Sequence, residues 1–129
     1  MPTVLIVDDD PDVQMFLQIA LDAAGFTTIT ADNGREAVEA ITERQPDVVV
    51  LDIMMPVVDG WSALAEVRQA GISPPVIVMT AKADGQTRER AQQLGVEGFM
   101  TKPFSPNELL QRVEEIVRHA NNPLAIRIG

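Results

Sequence analysis

Short apolar segments alternate with longer amphipathic segments along the whole chain. Three short segments, at residues 3–7, 47–51 and 75–79, are almost continuously apolar and rich in β-branched residues. Such segments are typical of β-strands that are covered on both faces. Residues 27–30 and 97–101 are weaker strand candidates. The pattern therefore predicts five strands.

The amphipathic segments between the strands predict helices with recognisable ends. Asp10 is suited to cap a first helix that begins at Pro11 and ends at Gly25. Ser105 is suited to cap the last helix, with Pro106 at its first position and Glu108 completing a capping box. The helices between them are predicted at residues 34–44, 61–70 and 85–94.

Apolar residues recur within the helices at the spacing of one buried face. In the first helix they are Val13, Phe16, Leu17, Ala20 and Leu21, and in the last they are Leu109, Leu110, Val113, Ile116 and Val117. Strict alternation of strands and helices favours an α/β fold, with helices on both faces of a parallel sheet. We expect one domain over residues 1–120, followed by a C-terminal tail or stub at residues 121–129.

Composition and charge narrow the class of protein. The 129-residue chain is 46% hydrophobic and contains no cysteine, and it shows neither a membrane-length apolar run nor a secretory signal. These features predict a cytoplasmic protein. Ten basic and 19 acidic side chains give a net charge of −9, which opposes direct binding to nucleic acid or to an anionic membrane.

Polar residues at the strand ends mark the candidate site, because ligands of parallel sheets bind outside the carboxyl ends of the strands. Asp8 and Asp9 follow the first strand, Asp52 the third, and Thr80 and Lys102 the fourth and fifth. Carboxylates that face one another repel unless a cation lies between them. Oxygen ligands of this kind suit Mg²⁺.

Four segments carry a family resemblance: "IVDDD", "VVVLDIMMPVVDGW", "VIVMTAKA" and "GFMTKPFSPNELL". Together they resemble the receiver domain of two-component response regulators, over residues 3–119. The resemblance implies a doubly wound, flavodoxin-like (CheY-like) fold with five parallel strands in the order 2-1-3-4-5. It also implies a cis peptide bond between Lys102 and Pro103.

The resemblance further implies a phosphorylation-dependent signalling switch rather than an enzyme. Asp52 would accept a phosphoryl group from a sensor histidine kinase or a histidine phosphotransfer protein, with only slow self-dephosphorylation afterwards. The fourth helix, fifth strand and fifth helix would then change their surface for partner binding. Mg²⁺ (or Mn²⁺) would be bound by Asp8, Asp9, Asp52 and the Met54 carbonyl. Lys102 and Thr80 would contact the phosphoryl group. Thr80 and Phe99 would be the switch residues. For Phe99, ordinary core packing remains an alternative.

Two further groups of residues are candidates for tuning and docking. By resemblance, Met54 and Lys82 flank the path of the water that hydrolyses the acyl phosphate, and an apolar Met54 predicts slow hydrolysis. An exposed apolar patch for the kinase or phosphotransfer protein is predicted at Met15, Ile19, Pro103 and Phe104. Scattered surface apolar residues, which are normal, are the alternative. Asp59 is predicted to cap the third helix and Trp61 to pack at its start.

Two other functions remain open from the sequence. A Mg²⁺-dependent phosphohydrolase would also place an aspartyl nucleophile at a strand end, but Asp52 is followed by Ile53 and Met54 rather than by a second acid two residues on. A phosphate-free interaction module is disfavoured by the intact set of acids with Thr80 and Lys102. The output could be a downstream target protein or a missing output domain, and the protein a monomer or a phosphorylation-dependent dimer.

Overall fold

The computed structural model of the chain describes residues 2–55, 59–81 and 84–120. Strands and helices alternate within them from the first element to the last. The strands are β1 (Thr3–Val7), β2 (Thr27–Ala31), β3 (Val48–Asp52), β4 (Val76–Thr80) and β5 (Gly98–Thr101). The helices are α1 (Pro11–Ala23), α2 (Gly34–Arg44), α3 (Gly60–Gln69), α4 (Gly85–Gln93) and α5 (Pro106–Ala120).

The five strands form one parallel sheet in the order β2-β1-β3-β4-β5. This confirms the predicted fold class and strand order. β3 and β4 are buried along their whole length, and β1 is buried except at Thr3. Because successive side chains of a strand point to opposite faces, the continuous apolar runs supply two cores.

One core lies on each face of the sheet. On one face, Leu5 and Val49 pack with residues of α2, α3 and α4, such as Ile41 and Leu64. On the other face, the neighbouring positions of the same strands pack against α1 and α5, through Leu17, Leu21, Leu109 and Val113. Every helix therefore covers a sheet face, and the carboxyl ends of all strands open on one edge.

Capping side chains begin the helices where the sequence predicts them. Asp10 accepts a hydrogen bond from the Asp12 backbone N–H, and Asp59 accepts one from Ser62. At the start of α5 the Ser105 hydroxyl accepts from the Glu108 backbone N–H at 3.2 Å. Gly25 follows α1 with a φ of 94°, a left-handed conformation that glycine adopts without strain.

Three predicted strands are displaced at their starts by one residue. The predicted segments 47–51, 75–79 and 97–101 begin one residue before the strands of the structure, although the Asp47 and Glu97 backbone N–H groups still donate to Thr3 and Val76 at the ends of the ladders. The expectation for Phe16 is wrong: its side chain is 51% exposed. Leu17 and Leu21 point into the core, and Phe16 lies on the flank of α1 beside Pro103 and Phe104.

Parts of the prediction fall outside the described residues, namely Lys82 and the tail at residues 121–129. Across the described portion of the chain, we find no helix that combines the length and the apolar character needed to cross a bilayer.

Candidate functional site

Three aspartates meet at the carboxyl edge of the sheet. Asp8 and Asp9 follow β1, and Asp52 is the last residue of the adjacent strand β3. The register places Val7 opposite Leu51, so the residue after each of them reaches the edge at the same level. One carboxylate oxygen from each aspartate lies within 4.8 Å of the others. The structure therefore brings together the acidic residues that the sequence singles out.

An ammonium group lies between two of these carboxylates. Lys102, directly after β5, places its Nζ 3.0 Å from Asp8 Oδ2 and 3.2 Å from Asp52 Oδ2. Its backbone N–H donates to the Thr80 carbonyl at 2.8 Å, which fixes the lysine at the end of β4. The peptide bond to Pro103 is cis, as the resemblance implies. Lys102 thus offsets part of the repulsion among the acids.

Asp8 and Asp52 are held in parallel ways. Asp8 is 1% and Asp52 4% exposed. In each, Oδ1 accepts a backbone N–H two residues ahead, from Asp10 and Met54 respectively, both at 2.9 Å. Their Oδ2 atoms face Lys102. Asp9, between the buried Asp8 and the capping residue Asp10, is exposed.

The environment raises the pKa of Asp52 above its ordinary value of 3.8. Burial is the main cause, since it disfavours the ionised carboxylate, and the charge of Asp8 adds to it. The Met54 backbone N–H and Lys102 act in the opposite direction but do not cancel the effect. For Lys102, burial by itself lowers the pKa, yet its hydrogen bonds and charge interactions with Asp8 and Asp52 raise it overall.

The donor set fits a hard divalent cation. Asp8, Asp9 and Asp52 offer only carboxylate oxygens, close enough to share one ion, and Mg²⁺ prefers one or two carboxylates together with water and phosphate oxygens. Met54, whose backbone carbonyl the resemblance implies as a further ligand, belongs to the loop that leaves β3 and is 62% exposed. An exposed Asp9 leaves one side of the cluster accessible to solvent.

Thr80 and Phe99 lie on the two strands beyond Asp52. Thr80, at the end of β4, is fully buried, and the residue before it, Met79, pairs with Asp52 in the strand register. Phe99 is half-buried on β5. The guanidinium carbon of Arg88 on α4 lies 4.8 Å from the centre of the Phe99 ring.

Comparison with known proteins decides what kind of domain carries this site. The family model for the response regulator receiver domain matches residues 4–114. The chain belongs to the response regulator receiver domain family. This receiver domain is 34% identical to the solved receiver domain of the Francisella response regulator 1452, and the likeness covers 93% of this chain and 99% of that chain with a TM-score of 0.88.

Curated relatives of the receiver domain are longer proteins. The probable transcriptional regulator ycf27 of Guillardia theta is 39% identical over 118 residues, which are 92% of this chain and 46% of that protein. The alkaline phosphatase synthesis transcriptional regulatory protein PhoP of Bacillus subtilis is 37% identical over 117 residues, which are 91% and 49% of the two chains. The receiver domain therefore spans about half the length of the curated relatives it matches.

Of the four residues predicted for docking, Met15, Ile19 and Pro103 are exposed, and Phe104 is half-buried. Met15 and Ile19 of α1 are 61% and 64% exposed. Pro103 and Phe104 line a mainly apolar groove of about 400 Å³, whose α1 wall includes Phe16. The exposed apolar surface of the receiver domain therefore also includes Phe16, which the sequence predicts to be buried.

Three side chains in this receiver domain have contacts that sequence reasoning missed. Gln14 on α1 donates hydrogen bonds to the loop that carries Asp8. Arg88 and Arg90 on α4 cover the rings of Phe99 and Trp61. The sequence indicates a contact for Gln14 only through its position beside the buried stripe of α1, because a polar residue there needs a hydrogen-bond partner. The two arginines carry no such signal, since polar residues are normal on a surface helix.

Proposed function

We propose that Asp52 is the phospho-acceptor of this receiver domain, and that its donor is the phosphohistidine of a sensor histidine kinase or a histidine phosphotransfer protein. The observation that carries the proposal is the position of Asp52, buried and within reach of Asp8, Asp9 and Lys102 at one sheet edge. Carboxylates, a lysine and an open side provide what phosphoryl transfer needs: an acceptor oxygen and groups that neutralise charge.

In the transfer step, a carboxylate oxygen of Asp52 attacks phosphorus while the phosphorus–nitrogen bond of the phosphohistidine breaks. The product is an acyl phosphate on Asp52 and a free imidazole on the donor. Lys102 Nζ, already 3.2 Å from Asp52 Oδ2, is placed to donate to a phosphoryl oxygen. Asp8, Asp9, Asp52 and the Met54 carbonyl would hold Mg²⁺ or Mn²⁺, which when bound neutralises charge on the phosphoryl oxygens.

The proposed switch involves Thr80 and Phe99. The Thr80 hydroxyl would hydrogen-bond the phosphoryl group, since Thr80 ends the strand beside Asp52. Movement of Thr80 would let the Phe99 ring turn inward from its half-buried position. Because Phe99 contacts Arg88 of α4, its movement would change the surface formed by α4, β5 and α5. That surface would then bind a partner.

We further propose that the acyl phosphate is long-lived. Met54 and Lys82 would flank the path of the hydrolytic water, and the exposed Met54 side chain has no group that orients water. Slow self-dephosphorylation, with no turnover of free substrate, distinguishes a signalling domain from an enzyme.

Partners are proposed from the surface and from the relatives. Met15, Ile19, Pro103 and Phe104, together with Phe16, would contact the kinase or phosphotransfer protein. The output would pass to a target protein or to a further domain, since the curated relatives are named as transcriptional regulators and are about twice as long as the match. A net charge of −9 disfavours direct nucleic-acid binding by the receiver domain itself. The protein would be a monomer or a phosphorylation-dependent dimer.

The proposal is tested by incubating the protein with acetyl phosphate and Mg²⁺ and measuring its intact mass. We expect a gain of one phosphoryl group in the wild type and no gain in Asp52→Ala or after chelation of the metal. An unmodified wild type would refute the proposal. A parallel assay with a small phosphomonoester tests the hydrolase alternative, because sustained release of phosphate would identify an enzyme.

A further inference from the structure

The side chain of Gln14 reaches from α1 back to the acidic loop. Its Nε2 lies 2.6 Å from the Asp8 carbonyl oxygen, 2.7 Å from Asp32 Oδ1 and 3.2 Å from the Ala31 carbonyl oxygen. One amide group therefore serves acceptors at the carboxyl ends of both β1 and β2. These two ends are also joined directly, because the Asp8 backbone N–H donates to Ala31 at 3.2 Å.

These bonds fix the backbone on both sides of Asp8. The Asp8 carbonyl and the Asp9 N–H belong to one planar peptide group, so a donor on that carbonyl also sets the direction in which the chain enters Asp9. Asp9 is exposed, and the position of its carboxylate follows from the course of its backbone. Asp8 itself is buried and has Oδ1 bound to the Asp10 N–H.

We propose that Gln14 is a positioning residue that sets the cation affinity of the acidic site through the Asp8–Asp9 peptide group. This inference rests on the proposed cation site of Asp8, Asp9 and Asp52. Without the amide of Gln14, the Asp8 carbonyl is free to rotate toward water, and the carboxylates of Asp8 and Asp9 lose their fixed spacing. A divalent ion would then have to order the loop as it binds, which weakens its affinity.

The same helix supplies a matched control. Gln18 lies one turn further along α1 and is also half-buried. Its Nε2 donates to the Thr28 hydroxyl of β2 at 3.3 Å, away from the acidic loop. Gln14→Met and Gln18→Met each replace an amide by an apolar side chain of similar length. A purely structural role of these amides would lower stability without weakening Mg²⁺ binding in either variant.

The decisive experiment is titration calorimetry with Mg²⁺ on the full chain and the two variants. We expect the dissociation constant to rise about tenfold in Gln14→Met, the lower end of the loss seen when a group that orients a metal ligand is removed. Gln18→Met should bind Mg²⁺ like the wild type. An unchanged affinity in Gln14→Met, or an equal loss in both variants, would overturn the inference about Gln14 alone. A wild type that binds no Mg²⁺ would overturn the proposed cation site as well.

A second measurement covers the case of a poorly folded variant. Mg²⁺ that binds only the folded state raises the free energy of unfolding by an amount set by its concentration and dissociation constant. Urea unfolding with and without Mg²⁺ therefore reports affinity even when stability is low. We expect a smaller increment in Gln14→Met than in Gln18→Met, whereas equal increments would contradict the positioning role.

Discussion

At the scale of single residues, the run Asp8-Asp9-Asp10 shows how three adjacent acids are accommodated. Asp8 is buried and paired with Lys102, Asp9 is exposed, and Asp10 caps α1. The like charges are therefore distributed among three environments. In Asp52, burial and the charge of Asp8 outweigh the contacts that favour the ionised carboxylate, so its pKa is raised.

Replacing Asp52 by asparagine should stabilise the metal-free protein at neutral pH. The raised pKa means that the folded state binds a proton more tightly than the unfolded state. The contribution of Asp52 to the free energy of unfolding is therefore lost as the pH rises from the ordinary pKa of the carboxyl group through its raised pKa in the folded state. We expect Asp52→Asn to have the larger free energy of unfolding at pH 7, with an advantage that shrinks as the pH falls through this window.

Urea unfolding in the presence of a chelator, repeated over a series of pH values, measures this difference. A variant that is less stable than the wild type at neutral pH, or a difference that does not change with pH, would contradict the conclusion that burial raises the pKa of Asp52.

Replacing Met54 by asparagine should shorten the life of the acyl phosphate several-fold. An amide two residues after Asp52 can orient the attacking water, which the thioether of Met54 cannot do, and positioning of this kind lowers the barrier. Loss of the phosphoryl group is followed by intact mass after removal of the donor. Met15→Asn is a matched control, since Met15 and Met54 are almost equally exposed, at 61% and 62%. Equal lifetimes for wild type and Met54→Asn would refute the tuning role.

At the scale of elements, α4 is anchored differently from the other helices. Among the residues of α4, Ala91 is the one that is buried. Two arginines of α4 contact aromatic rings on two other elements. Arg88 lies over Phe99 of β5, and Arg90 lies over Trp61 of α3 at 5.1 Å from the ring centre. The attachment of α4 thus depends partly on cation–π contacts, one of which involves the proposed switch residue.

Removing the Arg88 contact should loosen α4. A cation–π contact at an exposed site contributes about 0.5–1 kcal/mol, which corresponds to about a two- to fivefold change in a local opening equilibrium. We expect faster amide hydrogen exchange across α4 in Arg88→Met, measured by NMR or mass spectrometry. Glu89→Met, a change at an exposed neighbour on the same helix, is the control. Exchange that is equally fast in the two variants would show that the ring contact does not hold the helix.

The start of α3 is tightly packed on the strand that carries Asp52. A Cβ on Gly60 would lie 2.6 Å from Ile53 Cα and 2.7 Å from the Asp52 carbonyl oxygen, both of them backbone atoms. Gly60→Ala should therefore lower the free energy of unfolding by about 1–3 kcal/mol, the usual cost of overpacking.

Gly85→Ala is the control for Gly60→Ala, because Gly85 also begins a helix but has open space around its Cβ position. It should leave stability unchanged or slightly higher, since alanine favours helix more than glycine does. Thermal or urea unfolding measures both. A loss of stability that is the same at the two positions would contradict the close approach of Gly60 to β3.

At the scale of the whole molecule, the sequence predicts most of the fold but less of the side-chain contacts. Apolar β-branched runs identify β1, β3 and β4, and Asp10 and Asp59 identify helix starts, because these signals are local. Asp8, Asp9 and Asp52 could be grouped because parallel strands deliver their carboxyl ends to one edge. The resemblance assigns Lys102 to the phosphoryl group, whereas its pairing with Asp8 depends on the reach of the lysine side chain past the ends of β4 and β3.

The sequence does not predict contacts between side chains and elements that are distant along the chain. Phe16 has the helical spacing of a core residue, but the groove beside Pro103 and Phe104 leaves it half exposed. Two of the three acceptors of Gln14 are backbone carbonyls, of Asp8 and Ala31, and backbone carbonyls have no sequence signature. These examples show that periodicity identifies a face of a helix, whereas the neighbouring elements decide what covers that face.

The central claim is that Asp52 is the phosphorylated residue, and peptide mass mapping after treatment with acetyl phosphate and Mg²⁺ tests it most directly. Digestion with pepsin at acidic pH, where the acyl phosphate survives, precedes the mapping. The account predicts one phosphoryl group on a peptide that contains Asp52, and its absence from every peptide when Mg²⁺ is withheld. A phosphoryl group on a peptide without Asp52, or modification that does not require the metal, would contradict it.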